Sequence, residues 1–177
     1  MNETPLFQND VIAPESLPQI ADIGFQKVEK SYLKVSVIAS ILLGAVLMTV
    51  GLGIVIFVDD APSLVKMILP VFFLFIFIMT LLSSIKGYKY MGYAIRQRDI
   101  VFRKGWLWKS TTMIPFKRVQ HCEVNQNPLE RLFGLSRLKV FTAGGASSDL
   151  SIAGLTPHKA EQLKLFITTQ TAYDEEE

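Results

Sequence analysis

The sequence has few of the residues on which disulfides, metal sites and catalysis depend. It contains a single cysteine, Cys122, so no intrachain disulfide is possible and a small core residue is expected there. Its two histidines, His121 and His158, are not linked by a metal-ligand spacing. No Gly-x-Ser-x-Gly motif, P-loop or supported Cys/His pair occurs. These absences argue against an enzyme, and no metal or cofactor is expected.

Charge is missing from two long apolar segments, which dominate the mean hydropathy of +0.33. Residues 35–58 would form a helix roughly 36 Å long and residues 67–85 one of about 28 Å, against a hydrocarbon core of about 30 Å. Core helices of soluble proteins keep a polar stripe, which both segments lack. We therefore predict two transmembrane helices. Without an ionisable residue in their interiors, they offer no proton relay or ion path within one protomer.

The distribution of charge predicts the orientation of these helices. Lys27, Lys30 and Lys34 precede the first, and a longer basic stretch follows the second. The connecting loop, residues 59–66, holds two Asp and one Lys. The positive-inside rule places both termini in the cytoplasm and this loop outside. The expected location is the cell (inner or cytoplasmic) membrane.

Three flanking segments have their own composition. Residues 1–22 contain three prolines and predict a flexible tail. In residues 23–34, apolar side chains recur at near-helical spacing between lysines. This pattern fits an amphipathic lead-in at the membrane surface or an early start of the first helix. Residues 172–177 form an acidic tail that we expect to be solvated and disordered.

Residues 86–171 predict a compact α+β domain. Asn127, Pro128 and Glu130 resemble the capping box of a short helix. A C-terminal helix is predicted over residues 156–171, with an apolar stripe that includes Ala160 and Ile167. Six runs read as strands, so we expect a bent antiparallel sheet of six to seven strands capped by that helix. The runs are residues 90–96, 99–104, 106–115, 118–125, 137–143 and 148–153.

Several motifs of the β-rich part occur in a distinctive order. They lie at residues 114–120, 126–135, 142–145 and 154–155. With the two preceding helices, they make residues 20 to 170 resemble the bacterial pleckstrin-homology-like domain family, in its membrane-anchored form. The resemblance implies the fold better than a function, since much of that family has no assigned activity. The motif residues are Pro115, Gln120, Pro128, Arg131, Gly134 and Gly144.

Three of these motif residues have a physical interpretation. Gly134 and Gly144 fall where the chain must turn and a positive φ is favoured. Arg131 projects from the short helix, whose apolar face we expect to be Leu129, Leu132 and Phe133. It is expected to tie this helix to the sheet by pairing with Glu123 or Glu130, or else to bind an acidic partner.

Cations and tryptophans follow the second apolar segment. From Lys86 to Arg118, Asp99 is the one acid. Such a stretch suits anionic headgroups, at about 1 kcal/mol per cation; setting the topology is the alternative role. On one strand, Trp106 and Trp108 would face the same side, either the core or a membrane- or partner-facing patch. The candidate lipid or partner surface comprises Lys86, Lys89, Arg96, Arg98, Arg103, Lys104, Trp106, Trp108, Lys109, Lys117 and Arg118.

Together these features predict a non-enzymatic, membrane-anchored adaptor that binds lipid headgroups, other membrane proteins or another copy of itself. The alternative is an accessory subunit of a transport, export or envelope-stress complex, whose helices pack against partner helices. A third interpretation, an enzyme of lipid or envelope chemistry, would have to depend on His121, Arg131 or His158. Nucleic-acid binding is disfavoured because the domain is tethered at a membrane and shows no recognition motif.

Overall fold

Two long helices form an antiparallel hairpin. The computed structural model describes residues 23–57, 62–143 and 149–175, with side chains up to Thr171. Helix α1 (Ser31–Phe57) and helix α2 (Ser63–Tyr90) are both long and apolar enough to cross a membrane. Each begins four residues before its apolar segment, so Pro70 lies inside α2 and not in its first turn. The predicted tail at residues 1–22 and residues 59–61 of the predicted connecting loop lie outside the described residues, whereas residues 63–66 of that loop belong to α2.

The hairpin is held together by small residues of α1 that receive aromatic rings of α2. A Cβ atom at Gly44 would lie 2.0 Å from Cδ2 of Phe77, and one at Gly51 would lie 2.5 Å from Cδ2 of Phe73. Nearer the domain, the hydroxyl oxygens of Ser40 and Ser84 are 2.6 Å apart. No residue of α2 is buried, so α2 is not a core helix of a soluble domain.

The rest of the chain forms two antiparallel sheets. The first has the order β1-β2-β3-β4 and the second the order β5-β6-β7. A 3-10 turn (Phe116–Arg118) joins the two sheets, and a short helix, α3 (Pro128–Leu132), joins β5 to β6. The strands are β1 (Gln26–Lys27), β2 (Gly92–Ile95), β3 (Asp99–Lys104), β4 (Ser110–Pro115), β5 (Val119–Asn125), β6 (Ser136–Thr142) and β7 (Leu150–Leu155).

Helix α4 (Pro157–Glu175) closes a single core between the sheets. Phe116, Leu138 and Ile152 are fully buried beneath it, as is Ile167 of its own apolar stripe. Phe166 of that stripe is 39% exposed, but its ring packs edge-to-face with that of Phe116, with the ring centroids 5.9 Å apart. This arrangement confirms the predicted fold class. The helix continues to Glu175, into the segment predicted to be a disordered tail.

The helical hairpin is inserted between the first two strands of the domain. Strand β1 precedes α1 and pairs with β2, which follows α2, in the register Gln26↔Tyr93 and Lys27↔Gly92. Val28 is 4% exposed and belongs to the core, and the backbone N–H of Glu29 donates to the carbonyl of Gly154 at 2.8 Å. Residues 23–34, expected to be an amphipathic lead-in or an early start of the first helix, instead form a strand at residues 26–27, and the helix begins at Ser31. The domain is built from both sides of the hairpin and does not hang from α2 alone.

Two strand predictions differ from the structure for local reasons. The run at 106–115 becomes a strand only at Ser110, because residues 106–108 bend after Gly105. In β5 the register shifts between Val119 and His121. This bulge places Val119 on the core side with Cys122, whereas simple alternation predicts that Val119 and His121 share a face.

Candidate functional site

The nine cations of the predicted surface separate into two clusters at opposite ends of the first sheet. The β3–β4 register pairs Lys104 with Ser110 at one end and Asp99 with Pro115 at the other. Over the six residues of β3, the two ends are about 17–20 Å apart. We call Lys86, Lys89, Arg103, Lys104 and Lys109, with Trp106 and Trp108, the proximal cluster, since it adjoins α2. We call Arg96, Arg98, Lys117 and Arg118 the distal cluster.

In the proximal cluster, cations lie over aromatic rings. Nζ of Lys86 is 4.2 Å from the centre of a Trp106 ring, and Nζ of Lys109 is 5.4 Å from that of Tyr90. The Arg103 guanidinium lies 4.2 Å from the Phe25 ring centre, and its buried Nε has no hydrogen-bond partner among the described residues. Within residues 23–57, 62–143 and 149–171, no ion pair includes a proximal cation. Among these residues, no carboxylate neutralises the proximal cluster.

A tight turn presents large apolar side chains beside these cations. Gly105 has φ +93°, and a Cβ atom there would lie 1.9 Å from the carbonyl oxygen of Trp108. This left-handed conformation favours glycine. After the turn, Leu107 is 63% exposed and Trp108 83% exposed, while Trp106 is half-buried against Lys86. The prediction that both tryptophans share one strand face is therefore wrong, since neither lies on a strand.

In the distal cluster, two cations face carboxylates. Arg96 forms a bidentate ion pair with Asp99, at 2.6 Å from Nε to Oδ1 and 2.5 Å from Nη2 to Oδ2, and this hydrogen bonding raises the pKa of Arg96. The Thr142 hydroxyl and backbone N–H donate to Asp149, and with the nearby Arg118 they lower the pKa of that carboxyl. Arg98 makes a contact here through its backbone: its carbonyl oxygen accepts a hydrogen bond from the backbone N–H of Phe116 at 3.0 Å.

An ion pair between the buried Glu130 and the partly exposed Arg137 connects α3 to β6 beside the base of α1. Glu130, 2% exposed, accepts from Nη2 of Arg137 at 2.8 Å and from the N–H of Asn127 at 3.0 Å. Arg131, expected to tie the short helix to the sheet, is exposed instead. Leu132 of the predicted apolar face is 76% exposed as well. Sequence reasoning missed Arg137, although the capping box that orients Glu130 was visible in the sequence.

The other motif residues shape turns and strand ends. Pro115 ends β4, and Pro128 stands at the first position of α3. Gly134 has φ +64°, as its predicted turn requires. Gln120 is exposed at the bulge of β5, and Gly144 lies outside the described residues. Pro115, Pro128 and Gly134 of the motif pattern therefore act as local folding constraints.

Two further residues with potentially reactive side chains, His121 and Cys122, lie in surroundings that indicate a structural role. The His121 ring stacks on Phe141 with centroids 4.3 Å apart. Burial raises the pKa of the Cys122 thiol to about 11, so it is neutral at physiological pH. In the part of the chain that the structure describes, no group of three or more potential ligands could hold a metal ion.

The comparisons with known proteins agree with this architecture. The family model described as "Bacterial PH domain" matches residues 20–171. The match begins before β1 and ends near the end of α4, so it includes the inserted hairpin. No curated protein and no solved structure matches the chain significantly. The chain belongs to the bacterial PH domain family.

Proposed function

We propose that this protein is a membrane-anchored PH-like adaptor whose proximal cluster binds anionic lipid headgroups at the cytoplasmic membrane face. In this proposal the hairpin spans the membrane with both ends in the cytoplasm. The β1–β2 pairing supports that topology, because it requires the start of α1 and the end of α2 to lie on the same side. PH-like domains are generally non-catalytic, which agrees with an adaptor role.

The observation that carries the proposal is the different environment of the two clusters. Three of the five proximal cations lie over rings, and none of the five has a carboxylate partner among the described residues, so their charge remains available to a phosphate. They also adjoin the end of α2, where the apolar segment gives way to Lys86 and Lys89. A cation held near an anionic bilayer surface contributes about 1 kcal/mol. Of the four distal cations, Arg96 pairs with Asp99 and Arg118 lies near Asp149, and all four lie at the far end of the sheet.

Lipid preference of the full-length protein tests this proposal. The protein would be purified in detergent containing equal amounts of phosphatidylglycerol and phosphatidylcholine, and native mass spectrometry would count the bound lipids. We expect the wild type to retain more phosphatidylglycerol. Changing Lys86, Lys89, Lys104 and Lys109 to Gln should remove the preference, by up to about fivefold for each lysine.

The distal cluster supplies the matched control. Changing Arg98, Lys117 and Arg118 to Gln removes three charges without touching the proximal cluster, so the preference should persist. Equal retention of both lipids by the wild type, or equal loss in the proximal and distal variants, would contradict the proposal.

A second candidate, an accessory subunit of a larger membrane complex, is favoured by a groove along the hairpin. The groove is lined by apolar side chains of both helices and by hydroxyl groups that include those of Ser36, Thr80 and Ser83. A partner helix could hydrogen-bond to these groups, although Gly44 and Gly51 are already occupied by rings of α2. Extraction in mild detergent at native abundance, followed by native mass measurement, distinguishes the candidates: a lone monomer would count against this one.

A further inference from the structure

The β3–β4 hairpin lies along the last turns of α2 with its tip directed back toward the apolar segment. Lys109 contacts Tyr90, the final residue of α2, and Trp106 contacts Lys86, about 6 Å earlier along the helix axis. Gly105 lines a crevice together with Ser83 and Ser84, still earlier in the helix. The hairpin therefore reaches the level at which α2 changes from charged to apolar residues.

The side chains at this tip have the composition of a membrane-interface segment. Leu107 and Trp108 are 63% and 83% exposed. In water these two adjacent apolar side chains would stay largely exposed to solvent, because no contact in the described part of the chain covers them. Lys104 and Lys109 flank them. Tryptophan and lysine are the residues that favour the headgroup layer, the one through its amphipathic ring and the other through anionic phosphates.

We propose that Leu107 and Trp108 insert into the headgroup and upper acyl region of the bilayer that the hairpin crosses. The tip would form a third attachment point of the domain, beside the ends of α1 and α2. This inference rests on the proposed function to the extent that the hairpin must span the membrane. It does not require a preference for anionic lipid. Insertion would fix the orientation of the domain, holding the proximal cluster against the headgroups and turning the distal cluster toward the cytoplasm.

The chain provides its own probe, because it contains two tryptophans. The full-length Trp106→Phe variant leaves Trp108 as the sole tryptophan and would be reconstituted into phosphatidylcholine liposomes, with incorporation checked by flotation. We expect acyl-brominated phosphatidylcholine to quench Trp108 emission and aqueous iodide to quench it weakly. Adding Leu107→Glu should lift the tip and restore iodide quenching.

A reporter at the other end of the sheet is the control. The Trp106→Phe/Trp108→Phe/Lys117→Trp variant carries its sole tryptophan in the exposed distal cluster, so iodide and not bromine should quench it. If Trp108 behaves as this distal reporter does, or if Leu107→Glu leaves Trp108 unchanged, the inference is overturned.

The two proposals fail separately. The liposomes are zwitterionic, so bromine quenching of Trp108 can occur whether or not the protein prefers phosphatidylglycerol. Quenching without lipid preference would retain the insertion and reject anionic recognition. Lipid preference without quenching would retain anionic recognition and reject the insertion.

Discussion

The two halves of the domain differ in how they accommodate charge. In the half next to the hairpin, cations stack on aromatic rings, and Arg137 pairs with Glu130, whose carboxylate is buried. In the half away from it, ion pairs and hydrogen-bonded carboxylates lie at the surface, as at Arg96–Asp99 and Asp149. Among the described residues, the proximal half therefore presents cations without carboxylate partners, whereas Arg96 in the distal half has one.

The largest expected effect is a difference in stability between two variants, each of which loses one Arg–carboxylate ion pair. Arg137→Ala would leave the Glu130 carboxylate buried without a counterion, at a cost of about 3 kcal/mol in the free energy of unfolding. Arg96→Ala opens an exposed pair and should change stability little. Thermal unfolding of the full-length variants in one detergent, followed by near-UV circular dichroism, measures both. Equal shifts in melting temperature would remove the distinction between the halves.

A smaller difference in stability is expected between alanine variants of two glycines that both have positive φ. Gly154 has φ +76°, and a Cβ atom there would lie 2.7 Å from Cβ of Tyr32 at the base of α1. Gly154→Ala therefore adds a steric clash to backbone strain and should cost about 2 kcal/mol. Gly134, at φ +64°, has nothing within 4 Å of such an atom, so Gly134→Ala should cost about 1 kcal/mol.

The same melting experiment measures both glycine variants. If Gly134→Ala is the more damaging of the two, the junction between Tyr32 and β7 is not under the packing constraint that the structure indicates.

The smallest effect concerns pH in the distal half. The pKa of Asp149 is lowered from its ordinary value of 3.8, chiefly by the Thr142 hydrogen bonds. A lowered carboxyl pKa stabilises the fold above the unfolded pKa, and this contribution is lost as the pH falls through the folded pKa. The melting-temperature difference between wild type and Asp149→Asn should therefore shrink between pH 6 and pH 3 (approximate values that bracket the ordinary Asp pKa). Thr142→Val should reproduce that profile, and a pH-independent difference would contradict it.

Much of the fold could be predicted because its signals are local. The strand at 99–104 was predicted with both ends correct, since a polar turn precedes it and Gly105 follows it. Pro115 marks the end of β4, and the Asn127–Glu130 pattern marks the start of α3. In each case neighbours in sequence determine the boundary, so no knowledge of distant contacts is needed.

The predictions are wrong where contacts between residues far apart in the sequence determine the structure. Strand β1 has two residues, too few for a periodic pattern, and it exists because Gln26 pairs with Tyr93 far along the chain. The role given to Arg131 belongs to Arg137, which reaches Glu130 only after β6 has packed beside α3. The division of the basic stretch into two clusters likewise depends on the β3–β4 register, which places neighbours in sequence at opposite ends of a sheet.

The insertion of the hairpin between β1 and β2 has a consequence for how the protein is made. If the hairpin spans the membrane, the ribosome must release both helices to the bilayer before β1 can find its partner. A chain in which a single helix had crossed would leave β1 and β2 on opposite sides, and Val28 could not enter the core. Closure of the sheet thus depends on correct insertion. An incorrectly inserted copy would display an open, unfinished domain to the quality-control proteases of the cell.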